Sequence, residues 1–176
     1  GFESIQDARM KMGYGNRMLL GDGLGKYKQA SFNDQVARTG WGWGSTAWDF
    51  DNDSDRDLYV ANGHLSGESS QDYCTSFWRQ DIYMNAKKEN MVVSSLFDSC
   101  VGDVGKSISW NGFEHNALLL NEGEQGFANA SFLFGLSHES DCRSIVAADF
   151  DVDGRQDILL VEGVKKKGDQ FREGYI

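Results

Sequence analysis

Proline is missing altogether from this 176-residue sequence, where average usage is about 5%. Its loops therefore have none of the stiffening that a fixed φ provides. With 21 glycines, they lose much conformational entropy on folding, a composition compatible with cold adaptation. Positive charge is also scarce: 17 Lys and Arg stand against 27 Asp and Glu, a formal net charge of -10. That balance excludes nucleic acid as a natural partner. No apolar run of about 18 residues occurs, so no membrane-spanning helix is expected. Only three cysteines are present, Cys74, Cys100 and Cys142, and none has the CxxC spacing of a zinc site. No GxSxG elbow or comparable nucleophile setting appears. The chain opens at Gly1 with no visible signal peptide, and targeting is not judged from that end.

What the chain does have is acid, concentrated in two places. Asp49-Phe50-Asp51-Asn52-Asp53-Ser54-Asp55-Arg56-Asp57 recurs as Asp149-Phe150-Asp151-Val152-Asp153-Gly154-Arg155-Gln156-Asp157. Aspartates fall at positions 1, 3, 5 and 9 of both. Alternate side chains in a tightly wound loop converge, and carboxylates so crowded repel one another unless a cation joins them. Oxygen ligands at this density suit Ca²⁺. The expected ligands are Asp49, Asp51, Asp53 and Asp57 in one loop and Asp149, Asp151, Asp153 and Asp157 in the other. The backbone carbonyls of Asp55 and Arg155 would add a position-7 ligand. An EF-hand is excluded, because position 12 is Val60 or Leu160 where that motif needs a bidentate Glu. The following runs, Leu58-Tyr59-Val60-Ala61 and Ile158-Leu159-Leu160-Val161, read as buried strands. Each site is thus a strand–loop–strand turn.

The repetition extends beyond the loops. Asn16-Arg17-Met18-Leu19-Leu20 matches Asn116-Ala117-Leu118-Leu119-Leu120, and Ala30-Ser31-Phe32 returns as Ala130-Ser131-Phe132. Gly23, Tyr27, Ala47 and Gly63 align with Gly123, Phe127, Ala147 and Gly163. Residues 16–63 and 116–163 are therefore copies of one unit. Four strands are expected in each, at 16–20, 26–32, 45–48 and 58–61 in the first, with a polar connection at 33–38. Four strands with a metal turn are the makeup of a β-propeller blade. Residues 64–115 read either as a degenerate blade or as a long excursion from a blade edge, with a short helix or strand at 90–97. Lys165-Lys166-Lys167-Gly168 reads as a solvated hairpin turn.

Gly40-Trp41-Gly42-Trp43-Gly44, Trp48-Asp49-Phe50-Asp51-Asn52-Asp53 and Asp57-Leu58-Tyr59-Val60-Ala61-Asn62-Gly63 together resemble the FG-GAP/VCBS repeats, the calcium-binding blades also found in integrin α-chain heads. Asp72-Tyr73-Cys74, Phe77-Trp78-Arg79-Gln80, Trp110-Asn111-Gly112-Phe113-Glu114-His115-Asn116 and residues 144–157 are similar to bacterial relatives of cartilage acidic protein, the ASPIC/UnbV family. The likeness covers residues 14–163. It implies an all-β, secreted or surface-exposed propeller of about seven blades with calcium as cofactor. Two departures stand out. Ser54 occupies a sharp turn where the family has Gly, so the first site is expected to be the weaker. Two clear units and one unclear one also do not close a ring of four to eight blades. Residues 1–176 then form a single partial propeller region of two to three blades, completed by further blades or other chains.

Other residues allow milder readings. Trp41 and Trp43 suit either stacking on a sugar ring or core packing between blades, where Gly permits close backbone approach. His64, His115 and His138 have no partner at metal-ligand spacing. Cys74 and Cys100 share one irregular segment and are candidates for a disulfide, three unpaired thiols being the alternative. The functional expectation is a non-catalytic extracellular, cell-surface or periplasmic module with two Ca²⁺ sites, used for protein or glycan binding, adhesion or assembly. Alternatives are an accessory domain of a secreted enzyme acting on polysaccharide or lipid, and a structural subunit of a larger surface assembly.

Overall fold

A computed structural model describes residues 7–8, 11, 13–74 and 91–163. These are mostly strands in antiparallel sheets with few helices: β1 (Leu19–Gly21), β2 (Tyr27–Gln29), α1 (Asn33–Ala37), β3 (Gly42–Trp48), β4 (Asp57–Asn62), α2 (Met91–Asp103), β5 (Ala117–Asn121), β6 (Phe127–Asn129), β7 (Cys142–Ala148) and β8 (Asp157–Glu162). Among the described residues no helix is long and apolar enough to cross a membrane. The expected turn at 165–168 lies outside them.

Strand pairing reproduces the sequence repeat residue for residue. β1 pairs β2 with Leu19 opposite Gln29 and Gly21 opposite Tyr27; β5 pairs β6 with Leu119 opposite Asn129 and Asn121 opposite Phe127. β3 meets β4 from Gly42↔Asn62 to Trp48↔Asp57, with an irregularity between Gly42 and Gly44. β7 meets β8 from Cys142↔Glu162 to Ala148↔Asp157, with the same irregularity between Cys142 and Ser144. A bulge of this kind adds one unpaired residue and bends the strand; here that residue is Trp43 or Arg143.

The four strands of one sequence unit do not lie in one sheet. The four-stranded sheet runs β3-β4-β5-β6, while β1-β2 and β7-β8 are separate two-stranded sheets. The sheet therefore straddles the units, taking its acidic-loop hairpin from the first and its other hairpin from the second. The physical reason is local: β4 bonds to the strand after it, through Leu58↔Leu119, Tyr59↔Leu118 and Val60↔Ala117. Residues 64–115 leave and return between those two neighbours. Their described part carries α2 and isolated bridges, Leu65 to Trp110 and Asp72 to Ser109 among them.

The central sheet is covered on both faces, which is why β4 and β5 read as nearly continuous apolar runs. Side chains alternate across a strand. Tyr59, Ala61 and Leu118 face Cys142 and Ile145 of the β7–β8 hairpin, with Ile158 and Leu160 packed alongside. Val60, Ala117 and Leu119 face the other way, onto Val36 and Met18. Tyr59 and Leu118 are wholly buried, and each such side chain contributes about 1.5–3 kcal/mol. Gly44 lets β3 approach β7: a Cβ there would lie 3.7 Å from the Ser144 Cα. Gly63 has φ +100°, and a Cβ on it would fall 2.6 Å from the Ser140 carbonyl oxygen.

Two local expectations are corrected. The polar connection at 33–38 is the helix α1, which buries Asn33, Val36 and Ala37 and packs Val36 on the Val60–Leu119 face of the sheet. Asn33 Oδ1 accepts the Met18 N–H at 2.6 Å, so its amide serves the N-terminal hairpin. The strand expected over 26–32 is only Tyr27–Gln29, because Ala30 and the following residues turn into that helix.

Candidate metal centres

Each acidic loop is the turn of a hairpin, between β3 and β4 or between β7 and β8. The chain winds by placing positions 4 and 6 in the left-handed region: Asn52 at φ 63° and Ser54 at φ 80°, Val152 at φ 62° and Gly154 at φ 87°. Asn tolerates this conformation and Gly enters it freely. Ser54 is strained there, as expected. Val152 is strained too, and a β-branched residue at positive φ is a genuine outlier. The sequence reading missed that. Gly154 thus gives the second loop no simple advantage over the first.

The two loops share their hydrogen bonds. Asp49 accepts the Asp53 and Ser54 N–H groups, both at 3.0 Å. Asp149 accepts those of Asp153 and Gly154 at 3.0 and 2.9 Å. Asp53 and Asp153 accept the next-but-one N–H, at 3.0 and 2.8 Å. Asp57 and Asp157 receive the N–H of Phe50 and Phe150, at 2.7 and 2.9 Å. Asp49, Asp51 and Asp57 each bring one oxygen to within 4.8 Å of the others. In the second loop Asp149, Asp151 and Asp153 do so. Asp53 and Asp157 stand outside those triplets, and the Arg155 guanidinium bonds Asp153.

The residues fit a hard cation on two counts. The donors are all oxygens and mostly charged, the set Ca²⁺ takes and zinc does not favour. In addition, Asp55 Oδ1 is buried with no hydrogen-bond partner among the described residues, and a charged acceptor left so is costly. The Asp51 and Asp55 carboxyls are held above the usual carboxylate range, first by desolvation and then by repulsion from Asp53. A bound cation removes that repulsion.

The sites differ in their surroundings. Asp57 is fully buried, and its Oδ1 also accepts the Asn121 N–H at 2.9 Å. The loop is thereby bolted to the end of β5. Asp157 is half-buried, and none of the described residues does for it what Asn121 does for Asp57. Asn121 was not foreseen, because only the sheet's true order brings it to the loop.

At the opposite end of β3, Trp41 stacks on His64 with ring centroids 4.9 Å apart, and Trp110 meets both rings edge-on. Trp43 donates its ring N–H to the Gly63 carbonyl at 2.7 Å and lies under the Arg143 guanidinium. Both tryptophans are partly exposed, yet each has one face in use. Arg143 also donates to the Gly63 and His64 carbonyls, a role not apparent from sequence. Burial and the nearby Arg143 push the His64 pKa down. Buried Asn62 and Asn116 stitch this end together: Asn116 Oδ1 accepts the Asn62 N–H at 2.8 Å, and Asn62 Nδ2 donates to the Thr39 and His115 carbonyls.

Cys74 has a free thiol, which donates to Asn111 Oδ1 at 2.8 Å. Burial, reinforced by Asp72, pushes its pKa up to about 11. The side chain of Cys100, its expected partner, lies outside the described residues. Cys142 is a buried free thiol that accepts from Asn116 Nδ2.

No protein-family model, curated protein or solved structure matches the chain.

Proposed function

We propose that this chain is a non-catalytic, calcium-stapled module of β-propeller type that acts outside the cytosol in assembly or binding. The observation that carries the reading is the loop pair. Two nine-residue turns, a hundred residues apart, repeat the same backbone path and nearly the same carboxylate hydrogen bonds, and one keeps a buried, unpartnered carboxylate oxygen. Asp49, Asp51 and Asp57 would hold one ion, and Asp149, Asp151 and Asp153 the other. When bound, calcium supplies positive charge and fixes the distance between carboxylates. The chain's own residues do the rest: Asp49 and Asp149 wrap the backbone, and Asp57 ties the loop to β5.

The reading places the protein where free calcium is abundant. At a Kd of about 10⁻⁴ M and about 1 mM calcium, each site would add about 1.4 kcal/mol. Two sites then matter beside a typical domain stability of about 5–15 kcal/mol. Assembly is favoured over small-ligand binding by apolar side chains exposed on both outer hairpins, Leu19, Leu20 and Tyr27 on one and Val146 and Leu159 on the other. Thermal melting tests the staple. Calcium is expected to raise the midpoint by several degrees over chelator, and coincident curves would refute it.

A further inference from the structure

The central sheet contains a join that the described strands β1–β2 and β7–β8 do not make. β4 receives the β5–β6 hairpin along its free side, through Leu58↔Leu119, Tyr59↔Leu118 and Val60↔Ala117. β8 is the counterpart of β4, with an identical register to its own partner. Yet β8 has no strand on that side among the described residues. β1–β2 is the counterpart of β5–β6, again in identical register, and β1 has no second neighbour among the described residues. Among the described residues there is thus an acceptor edge lacking its hairpin and a hairpin of the kind that edge takes.

Three further features agree. Leu159 and Val146, paired across the β7–β8 hairpin, are each 47% exposed, whereas Tyr59 in the corresponding place on β4 is wholly buried against the next hairpin. A groove of about 420 Å³ opens on the other side of the molecule, lined by Met18, Trp43, Ser45, Leu58, Val60 and Leu119 among others. Ser45, Leu58 and Val60 are the repeat counterparts of Ile145, Ile158 and Leu160, the side chains that meet the Tyr59 face. The groove is therefore where a Leu159–Val146 face would sit. Finally, Asp57 binds the Asn121 N–H, and the repeat counterpart of that pair is Asp157 with Gly21.

We infer that β8 of one copy takes the β1–β2 hairpin of a second copy, building across the two chains the same four-stranded sheet as β3-β4-β5-β6. The occupant is a second copy because both halves of the join are present on this molecule. Translating the observed register pairs Ile158 with Leu19, Leu159 with Met18 and Leu160 with Arg17 between chains. The Leu159 and Val146 face then fills the second copy's groove. Such a contact is head-to-tail, so it closes into a ring or runs on as a filament. This names the partner for the assembly reading and rests on it, but it does not depend on calcium.

The test uses the full chain. Sedimentation at about 100 µM, where a micromolar Kd leaves most chains associated, is expected to show oligomers that dissociate on dilution. Mixing Met18→Cys with Leu159→Cys chains under mild oxidation should yield a disulfide dimer containing one of each, identified by peptide mass. A Met18→Cys and Val161→Cys mixture, off register, should yield at least tenfold less. Leu159→Lys, at an exposed position, should abolish oligomers while leaving the melting midpoint of the dilute, monomeric chain unchanged. A chain that stays monomeric, equal cross-linking off register, or a Met18→Cys/Leu159→Cys double variant that closes within one chain would each overturn the inference. Oligomers that form without any calcium response would instead refute the staple and leave this join standing.

Discussion

Single residues decide how strongly each loop is held. Asp57 lies wholly inside and satisfies two backbone donors, Phe50 N–H and Asn121 N–H. Asp157 is half-buried and, among the described residues, satisfies Phe150 N–H alone. A buried donor stripped of its acceptor costs about 1–3 kcal/mol. Asp57→Ala is therefore expected to destabilise by roughly 2–4 kcal/mol and Asp157→Ala by about half that, read from denaturant melts at saturating calcium. Reading the sequence alone, with Ser54 as the one strained position, puts the weakness in the first loop. Val152 removes that simple contrast, because a β-branched residue held at φ 62° stores strain in the second loop as well. Equal costs for the two alanine variants would show that Asn121 contributes nothing to holding the first loop.

Among the elements, the root of the excursion at 64–115 is fixed by rings as well as by the Leu65–Trp110 bridge. Trp41 precedes β3, His64 follows β4, and Trp110 arrives from the returning segment; the three interlock. The groups that act electrostatically on His64 are Arg143, Asp141 and Glu114; burial and Arg143 lower its pKa against the pull of the two acids. A base whose folded pKa is depressed stabilises the fold above its unfolded value, near pH 6.5, and that contribution is lost as pH falls through the folded value. Acidification below about pH 6 should thus loosen the cluster and shift tryptophan emission to the red, with calcium held constant. In His64→Gln, that acid transition should be absent. An unchanged transition in the variant would place its origin elsewhere.

The same elements separate what the sequence discloses from what it hides. The flanks of both loops were readable as strands, because 58–61 and 158–161 are short, apolar and bounded by turns. The hairpin registers follow from the repeat, since every pair in β7–β8 is a pair in β3–β4 moved by one hundred residues. The phase of the sheet was hidden: a repeat in sequence carries no mark of where one sheet ends, and β4 bonds forward across a 54-residue gap to β5. α1 was hidden because five residues show too little periodicity, and its meaning lies in Asn33 reaching back to Met18. Arg143, Asn62 and Asn116 look like ordinary polar residues until the fold surrounds them with carbonyls and strand ends.

At the scale of the whole molecule, a net charge of -10 is gathered unevenly. Nine aspartates lie in two turns of a small sheet protein, five in the first and four in the second. Desolvation first, and then repulsion from Asp53, raises the Asp51 and Asp55 carboxyls of the first turn. For such groups the protonated form favours the fold, so their stabilisation is present at low pH and lost as pH rises through the folded value. Without a cation the loop is weakest near neutrality. Under the proposed staple, cation binding and sheet integrity are one problem, because Asp57 belongs both to the candidate cation triplet and to the β5 contact. Titration of calcium into the chelator-stripped chain, followed by calorimetry, tests this most directly. Two ions should bind per chain, falling to one in an Asp149→Asn/Asp151→Asn variant that remains folded. Binding of no calcium, or an undiminished two ions in that variant, would contradict the account.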